Sequence, residues 1–221
     1  MKLRIAIDGP AGAGKSTAAR AVAKRLGLAY LDTGAMYRAV TLFALRRKVN
    51  LHDDKELERL AASLDLAVKS GKDGENIIYV DGEDVTEAIR TPEVNRHVSI
   101  VAKCPEVRVL MVEKQKAIGR AGNVVMDGRD IGTNVMPDAE VKIFLTASLE
   151  ERARRRLAEL TAKGEKLDLE QMIAEIAARD KIDSERECSP LRPAEDAVHL
   201  DTTNMTVEEV VDAIVNIAAG P

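Results

Sequence analysis

The segment Gly9–Ser16, with the sequence GPAGAGKS, limits the possible folds of this chain more than any other feature. It matches the pattern G-x-x-x-x-G-K-[ST], in which glycines let successive backbone amides turn towards one phosphate group. The apolar run Leu3–Asp8 before it is typical of a buried strand, and Ala18, Val22 and Leu26 recur after it at helical spacing. A strand, a glycine loop and a helix in this order predict an α/β fold with an anion site at the helix N-terminus.

The loop pattern also predicts a nucleoside triphosphate and a metal ion, Mg²⁺. Lys15 is expected to reach the β and γ phosphates, and Ser16 and Asp127, which ends an apolar run, are the predicted metal ligands. The alternatives are a glycine turn without a ligand, and an aspartate that caps a helix or forms a turn. The residues predicted to hold the nucleotide are Gly9, Pro10, Ala11, Gly12, Ala13, Gly14, Lys15, Ser16 and Thr17.

Strands and helices alternate along most of the chain. Besides the first strand, short apolar runs predict strands at residues 28–32, 123–127, 141–145 and 197–201, and apolar spacing predicts a helix over residues 35–48. Such alternation indicates a P-loop NTPase fold, with a five-stranded parallel sheet and helices on both of its faces.

One region breaks this alternation. Turn sequences at residues 69–74 and 81–82 flank the alternating run Ile77–Val80, which predicts a small antiparallel β insert. The predicted organisation is a core with the phosphate loop over residues 1–63, the insert over residues 64–92, and the continued core over residues 93–221, with a short lid at about residues 155–168.

Charge and cysteine content argue against several classes of protein. The net charge of −4 provides no general attraction for nucleic acid or an anionic membrane, and no segment reaches the roughly 20 apolar residues of a membrane span. The N-terminus has no secretory signal pattern, and Cys104 and Cys188 lie outside any metal-ligand or CxxC spacing. A soluble, cytoplasmic protein with reduced thiols is expected.

A second substrate would need polar groups outside the phosphate loop, and arginine-containing segments near strand ends are candidates. Ligands of parallel α/β sheets bind at the carboxyl ends of the strands. In the first segment, Thr33, Tyr37 and Arg38 could bracket a monophosphate; the alternative is a Thr-capped helix with Tyr37 and Arg38 at the surface. In the second, Arg129 and Asp130 could orient an anion and a base amino group; the alternative is a structural ion pair.

The third segment lies on a helix predicted at about residues 169–187. Arg179, Asp183 and Arg186 share one face, which continues the apolar stripe formed earlier on the helix by Met172 and Ile176. This pattern indicates a helix that leaves the core to line a cleft. The alternative is a solvated helix end stabilised by charge pairs four residues apart.

Four arginines, at positions 152, 154, 155 and 156, crowd another predicted helix. They repel one another unless anions or carboxylates neutralise them, and a transferring phosphoryl group is such an anion. A mobile arginine lid is therefore predicted, with a solvated charged face as the alternative. The residues predicted to act on the transferring group are Lys15, Arg129, Asp130, Arg155 and Arg156.

Together these motifs resemble those of bacterial cytidylate kinases, within the nucleoside monophosphate kinase fold. The resemblance runs nearly end to end, through IDGPAGAGKST, LDTGAMYR, EDVTEAIRT, VSIVAKCPEVR, MDGRDIGT, PDAEVKIFLTAS and the spacing RD-x-x-D-x-x-R. The phosphate loop is shared by many proteins, whereas D-[ST]-G-A-x-Y-R together with D-G-R-D-x-G is narrow, and adenylate and thymidylate kinases lack that pairing. Thr33 stands where serine is common in the family, which keeps the hydroxyl and adds a methyl group.

The resemblance implies phosphoryl transfer from ATP to CMP or dCMP with Mg²⁺, and an insert that closes over the acceptor. It implies that Thr33, Tyr37 and Arg38 contact the monophosphate and the entrance to its site. A monomer that binds no nucleic acid is expected. The further acceptor contacts that the resemblance implies are cytosine recognition by Ser99, Arg108 and Asp130, phosphate binding by Arg129, Arg179 and Arg186, and sugar binding by Asp183.

Other functions are compatible with a phosphate loop. Within the same chemistry the alternative is a uridylate or shikimate kinase, which a comparison of CMP, UMP, AMP and shikimate as acceptors would distinguish. A GTP-binding switch predicts an N-K-x-D or T-K-x-D segment, which the sequence lacks. A nucleic-acid-binding ATPase is disfavoured by the net charge of −4 and the absence of interleaved aromatic residues.

Overall fold

The computed structural model describes residues 2–162, 164 and 168–220. Its strands are β1 (Arg4–Asp8), β2 (Ala29–Asp32), β3 (Leu66–Ser70), β4 (Asn76–Val80), β5 (Glu83–Asp84), β6 (Val124–Gly128), β7 (Val141–Thr146) and β8 (Val198–Asp201). Its α-helices are α1 (Lys15–Leu26), α2 (Thr33–Arg46), α3 (Asp54–Ser63), α4 (Pro92–Lys103), α5 (Pro105–Ala121), α6 (Leu149–Thr161), α7 (Leu169–Glu185) and α8 (Val207–Ala219). A 3-10 turn, Ala88–Arg90, precedes α4, and a π-helical turn, Ile131–Val135, follows β6. None of the described helices is long and apolar enough to cross a membrane.

Five of the described strands form one parallel sheet in the order β2-β6-β1-β7-β8. At its centre, Ile5 of β1 pairs with Val125 of β6 on one side and with Val141 of β7 on the other. Strands β1 and β6 are almost wholly buried because helices cover both faces, and this is why they read as continuous apolar runs. The predicted parallel sheet is confirmed.

Side chains of the central strands alternate between two cores. Ala6 and Met126 belong to the core under α2, α4 and α5, whereas Ile5, Ile7 and Val125 belong to the core under α1 and α8. All five are 0% exposed. Burial of each large side chain among them stabilises the fold by about 1.5–3 kcal/mol, so the sheet is a rigid support for its carboxyl edge.

The helix predicted at residues 35–48 lies at Thr33–Arg46. It begins earlier because the Asp32 carboxylate accepts a hydrogen bond from the backbone N–H of Ala35 at 3.0 Å and caps the helix. Tyr37 packs into the core and is only 7% exposed. The alternative of a threonine-capped helix with a surface tyrosine is therefore wrong.

The predicted insert is a small antiparallel sheet of the described strands β3, β4 and β5, in that order. It docks on the open edge of β2 through Asn76, which is 4% exposed. The Asn76 amide accepts from the N–H of Asp32 at 2.6 Å and donates to the carbonyl of Tyr30 at 2.7 Å. Because this amide supplies hydrogen bonds that a neighbouring strand would make, the insert is attached beside the end of β2.

Helices α6 and α7 pack on each other through a small apolar cluster of Ala153, Leu160, Met172 and Ile176. Met172 and Ile176 are 2% and 4% exposed, which confirms the predicted apolar stripe. The predicted lid at about residues 155–168 covers the end of α6 and the connection to α7. Of that stretch, Lys163, Glu165, Lys166 and Leu167 lie outside the described residues.

Candidate active site

Three neighbouring strands carry aspartates at their carboxyl ends. Asp8 of β1 lies opposite Gly128 of β6, and Asp127 of β6 lies opposite Asp32 of β2. The three carboxylates belong to residues that are only 3–4% exposed. Because a buried carboxylate is costly without partners, the groups around these aspartates indicate what this edge of the sheet binds.

The phosphate loop lies at this edge, between β1 and α1. Gly9 has a φ of 149°, and a Cβ atom there would lie 2.0 Å from the carbonyl oxygen of Leu145, so only glycine fits. Lys15 begins α1, is 6% exposed and donates to the Pro10 carbonyl at 2.6 Å. Burial, with the nearby Arg129 guanidinium, lowers the pKa of Lys15. An added anion would stabilise this ammonium group at the helix N-terminus.

Ser16 and Asp127, the predicted metal ligands, are in direct contact. Ser16 Oγ donates to Asp127 Oδ2 at 2.7 Å, and the Tyr30 hydroxyl donates to Asp127 Oδ1 at 2.8 Å. Burial and the neighbouring Asp32 carboxylate raise the pKa of Asp127 to about 6. A buried carboxylate and a hydroxyl beside the phosphate loop are hard oxygen donors, and they fit Mg²⁺. The alternative of a helix-capping or turn-forming aspartate does not apply, because Asp127 lies within β6.

Asp8 joins the phosphate loop to the segment that follows β6. Its two carboxylate oxygens accept hydrogen bonds from the backbone N–H groups of Ile131 at 2.8 Å and Gly132 at 2.7 Å. Burial raises the pKa of Asp8 to about 7, although these two hydrogen bonds lower it. The segment that carries Arg129 and Asp130 is therefore fixed beside the start of the phosphate loop.

Asp130 lies between two buried arginines. Arg108 Nη2 is 2.5 Å from Asp130 Oδ2, and Arg186 Nη2 is 3.5 Å from Asp130 Oδ1. The Arg108 guanidinium also lies 5.5 Å from the centroid of the Tyr37 ring. Ser99 is buried on α4, the helix whose Ala102 carbonyl accepts a hydrogen bond from Arg108 at 3.2 Å. The structure thus brings together side chains that are far apart in the sequence.

Arg129 and Asp183 form a second ion pair. Arg129 Nε donates to Asp183 Oδ2 at 2.8 Å. Burial and the nearby Arg129 guanidinium lower the pKa of Arg179 to about 10. Burial raises the pKa of Asp183, but Arg129 and Arg179 outweigh burial and the pKa is lowered, so two cations act on one carboxylate. Asp183 and Arg186 are 3% and 6% exposed, so the alternative of a solvated helix end is wrong. The excess positive charge favours an added anion.

Arg38 is held by the aspartate that caps its helix. Arg38 Nη2 lies 2.6 Å from Asp32 Oδ2, and Arg90 Nη2 of the 3-10 turn lies 3.7 Å from the same oxygen. Burial raises the pKa of Asp32, but the two guanidinium groups outweigh burial and the pKa is lowered. The Thr33 hydroxyl donates to the Asp127 carbonyl at 2.7 Å. The first predicted acceptor segment therefore lies next to Asp127, a predicted metal ligand.

Buried polar atoms without partners are concentrated in this region. Within the described residues, these atoms are Tyr37 Oη, Arg38 Nε, Arg108 Nε and Arg179 Nε. All four belong to side chains that the sequence predicts in the acceptor site. Because buried polar atoms are nearly always paired, their concentration indicates a site for a polar ligand.

Comparison with known proteins identifies the family of this chain. The family model described as cytidylate kinase matches residues 5–219. The chain belongs to the cytidylate kinase family. Cytidylate kinases of Geobacillus sp. strain WCH70 and Bacillus subtilis strain 168 are 57% and 56% identical to it, over 97% and 96% of this chain and 96% and 95% of theirs. The family interpretation of the sequence motifs is confirmed.

Solved structures share the fold of this cytidylate kinase family member at low sequence identity. An uncharacterized protein from Eubacterium ventriosum is 10% identical, with a TM-score of 0.54 over 100% of both chains. A shikimate kinase from Bacteroides thetaiotaomicron is 15% identical, with a TM-score of 0.51 over 99% of both chains. At these identities the likeness shows the fold alone and does not favour shikimate as a substrate.

The four crowded arginines of this family member have different surroundings. Arg152 is buried at 7% exposure, whereas the Arg154 side chain is 62% exposed, so the solvated-face alternative holds for Arg154. Arg155 also donates to the Thr202 carbonyl at 2.6 Å. Catalytic roles for Arg155 and Arg156 stay predictions. The arginines that pair with carboxylates on their own helix are Arg154 with Glu150, Arg155 with Glu151 and Arg156 with Glu159.

Several residues that shape the candidate site were not predicted from the sequence. Asp8, Tyr30 and Asp32 adjoin or lie within the motifs, so their position beside a motif was the available signal. Asn76 belongs to the insert and accepts a hydrogen bond from the N–H of Asp32 in β2. Arg90, in the turn that follows the insert, lies beside the Asp32 carboxylate. No local sequence pattern predicts such contacts.

Proposed function

We propose that this chain transfers the γ-phosphoryl group of ATP to CMP, and to dCMP, and forms ADP with CDP or dCDP. The observation that carries the proposal is the buried Arg108–Asp130–Arg186 cluster, with its unpartnered neighbours, on the sheet edge that holds the phosphate loop. Cytidylate kinases that are 57% and 56% identical over nearly the whole chain support the same substrate.

Base selection would depend on Asp130 and Arg108. Cytosine offers an exocyclic amine, which needs an acceptor, and a ring nitrogen and carbonyl, which need donors; a carboxylate and a guanidinium provide both. Ser99 adds a hydroxyl on the adjacent helix α4. Uracil lacks the amine and would leave Asp130 poorly paired, a penalty of about 1–3 kcal/mol. UMP is therefore the poorer acceptor.

The acceptor phosphate and sugar would bind beside the base. Arg38, Arg129, Arg179 and Arg186 supply the guanidinium groups for the phosphate, since arginine forks match phosphate oxygens. Asp183, already oriented by Arg129, would accept from a sugar hydroxyl. Tyr37 and Thr33 would line the entrance.

The transfer itself needs positioning and neutralisation of charge more than covalent chemistry. An oxygen of the acceptor phosphate forms the new bond to the γ-phosphorus while the bond from that phosphorus to the ADP oxygen breaks. Lys15 and the loop amides of residues 9–17 would hold the donor, and Arg129 would neutralise charge on the transferring group. Ser16 and Asp127 would hold Mg²⁺, which when bound offsets negative charge on the donor phosphates.

The insert and the lid would exclude water from this transfer. The insert, residues 64–92, is attached beside Asp32 through Asn76 and would close over the acceptor. Arg155 and Arg156 of the lid would reach the transferring group on closure. The proposal extends to a cytoplasmic monomer whose partners are small nucleotides, and the net charge of −4 supports the absence of a nucleic-acid partner.

A coupled assay for ADP, with MgATP and a panel of CMP, dCMP, UMP, AMP and shikimate, tests the proposal. We expect the highest kcat/KM for CMP and dCMP. For UMP we expect a kcat/KM at least about tenfold lower, and for AMP and shikimate no transfer. Addition of EDTA should abolish the reaction and added Mg²⁺ should restore it. Failure to form CDP from CMP would overturn the proposal, and equal use of CMP and UMP would overturn the role of Asp130.

A further inference from the structure

The backbone of Ala11 in the phosphate loop is held at both its N–H and its carbonyl by the α6–α7 pair. Its N–H donates to Asp180 Oδ1 at 3.3 Å, and its carbonyl accepts from Arg152 Nη1 at 3.0 Å. Arg152 and Asp180 also pair with each other, from Nη1 to Oδ2 at 2.6 Å. One guanidinium, one carboxylate and the backbone N–H and carbonyl of one residue form a closed ring of hydrogen bonds, which we name the Ala11 clamp.

The clamp is mostly shielded from solvent, with the Asp180 side chain 21% exposed, and its arginine is itself fixed. Arg152 is 7% exposed, and its Nε donates to the Ala147 carbonyl at 3.0 Å. A Cβ atom on Gly12 would lie 2.8 Å from the Arg152 carbonyl oxygen, so the backbone of α6 is in close contact with the loop. An exposed ion pair would contribute little, whereas a buried charge-assisted network holds its members in one geometry.

The backbone conformation of Gly12, directly after Ala11, explains what such a network would achieve. The backbone at Gly12 has a φ of 75°, a left-handed conformation that glycine adopts without strain but does not hold by itself. A loop that samples other conformations must lose this freedom when it binds a triphosphate. If the backbone N–H and carbonyl of Ala11 are already fixed, the loop loses less freedom on binding, and its affinity for the ligand increases.

We propose that Arg152 and Asp180 are positioning residues that hold the phosphate loop in the shape that binds the donor triphosphate. The inference rests on the proposed function in one respect, that ATP binds at Gly9–Thr17. Asp183, on the same helix as Asp180, pairs with Arg129 on the acceptor side, whereas Arg152 and Asp180 hydrogen-bond to the donor loop at Ala11. The clamp therefore governs affinity for ATP and leaves affinity for CMP nearly unchanged.

Two variants that preserve side-chain volume test the clamp. In Arg152→Lys, an ammonium group cannot make the several bonds of the guanidinium fork, and in Asp180→Asn the charge is lost. We expect each to weaken MgATP binding in isothermal titration calorimetry by about tenfold, the effect of one lost charge-assisted contact. The KM for ATP should rise in parallel, and the KM for CMP should change less than about twofold. The double variant should bind MgATP no more weakly than the single variant with the lower affinity, because the two residues act as a unit.

Arg25→Lys and Asp212→Asn are matched controls. They change the same residue types in an exposed arginine–aspartate pair that joins α1 to α8, and they should bind ATP like the unaltered chain. Unchanged or tighter ATP binding by the clamp variants, or equal losses for ATP and CMP, would overturn the proposal. Loss of cooperative thermal unfolding in both clamp variants would also overturn it, in favour of a role in folding. If the unaltered chain binds ATP but forms no CDP, the proposed function fails while calorimetry still tests the clamp.

Discussion

The donor and acceptor halves of the candidate site are built in different ways. The phosphate loop is one continuous segment, and its functional side chains already have protein partners, Lys15 on the Pro10 carbonyl and Ser16 on Asp127. The acceptor half takes side chains from α2, α4, α5, α7 and the segment after β6. It also contains the buried polar atoms that lack partners in the described part of the chain.

This difference teaches where affinity and selectivity arise. A donor site with satisfied groups is preorganised, so little reorganisation accompanies the binding of a triphosphate. An acceptor site with unsatisfied buried groups favours a ligand that supplies the missing partners and penalises one that does not. We therefore expect changes in the donor half to reduce the rate for every acceptor, and changes in the acceptor half to alter the preference among acceptors.

The largest expected effect is that of Lys15→Ala on the donor half. Loss of the ammonium group should lower kcat about 10³-fold with every acceptor, because a preorganised charge at the phosphates is removed. The melting temperature should be nearly unchanged, since the substitution removes a buried cation whose pKa is lowered by burial. Lys24→Ala, at an exposed position on the same helix, is the control for steady-state kinetics. Near-normal kcat in Lys15→Ala would remove this role.

The Asp130→Ala variant tests whether the acceptor half selects the base. We expect the ratio of kcat/KM for CMP over UMP to narrow about tenfold, because the acceptor for the amine is lost. The variant also leaves Arg108 buried without its partner, which should destabilise the fold by about 3 kcal/mol. The ratio is the right measurement because it does not depend on the fraction of active protein.

The control for Asp130→Ala is Asp196→Ala. Asp196 forms an ion pair with Lys142, and its side chain is 66% exposed. This control should retain the CMP preference of the unaltered chain. An unchanged CMP over UMP ratio in Asp130→Ala would contradict base recognition by that residue.

Asn76→Ala tests whether the insert belongs functionally to the acceptor half. Loss of the amide leaves the Asp32 N–H and the Tyr30 carbonyl without partners, so the free energy of unfolding should fall by about 1–2 kcal/mol. Urea unfolding measures this fall, and the KM for CMP should rise more than the KM for ATP. Asn204→Ala, at an exposed position, is the control. An equal change in both KM values would break the assignment of the insert to the acceptor.

A dependence of stability on pH is expected from Asp8, which joins the two halves. Burial raises its pKa from 3.8 to about 7, so the folded state binds a proton that the unfolded state releases in this range. The free energy of unfolding therefore falls as pH rises from about 4 to 7, by at most about 1.4 kcal/mol per pH unit. Asp8→Asn should remove this part of the decline, as measured by urea unfolding at pH 5, 6 and 7. Parallel pH profiles of the two proteins would contradict it.

Local patterns predicted most of the fold. Strands β1 and β6 were recognisable because covering helices bury both faces, so apolar residues are continuous. The boundary of α2 was missed because the cap is Asp32, a residue whose carboxylate also binds Arg38. The third strand of the insert, Glu83–Asp84, is too short and exposed to have an apolar pattern.

The candidate site was predictable in its membership but not in its pairings. Motifs indicated Arg129, Asp130 and Asp183, yet Arg129 pairs with Asp183 on α7, and Asp130 pairs with other arginines. Arg152 was grouped with the lid arginines because of its neighbours in the sequence. The structure separates it from them, since its side chain is directed to Ala11 and Asp180 rather than along its own helix. Ligand contacts of the individual residues stay predictions.

The sequence by itself determined the donor half, because residues 9–16 contain all the backbone freedom and the positive charge that a phosphate loop needs. Only the tertiary structure decided how that loop is supported and how the acceptor half is assembled. Arg108 and Asp130 are 22 positions apart, and Ala11 and Asp180 are 169 apart. Contacts over such separations depend on how helices pack against the sheet, and no local periodicity or turn pattern encodes that packing.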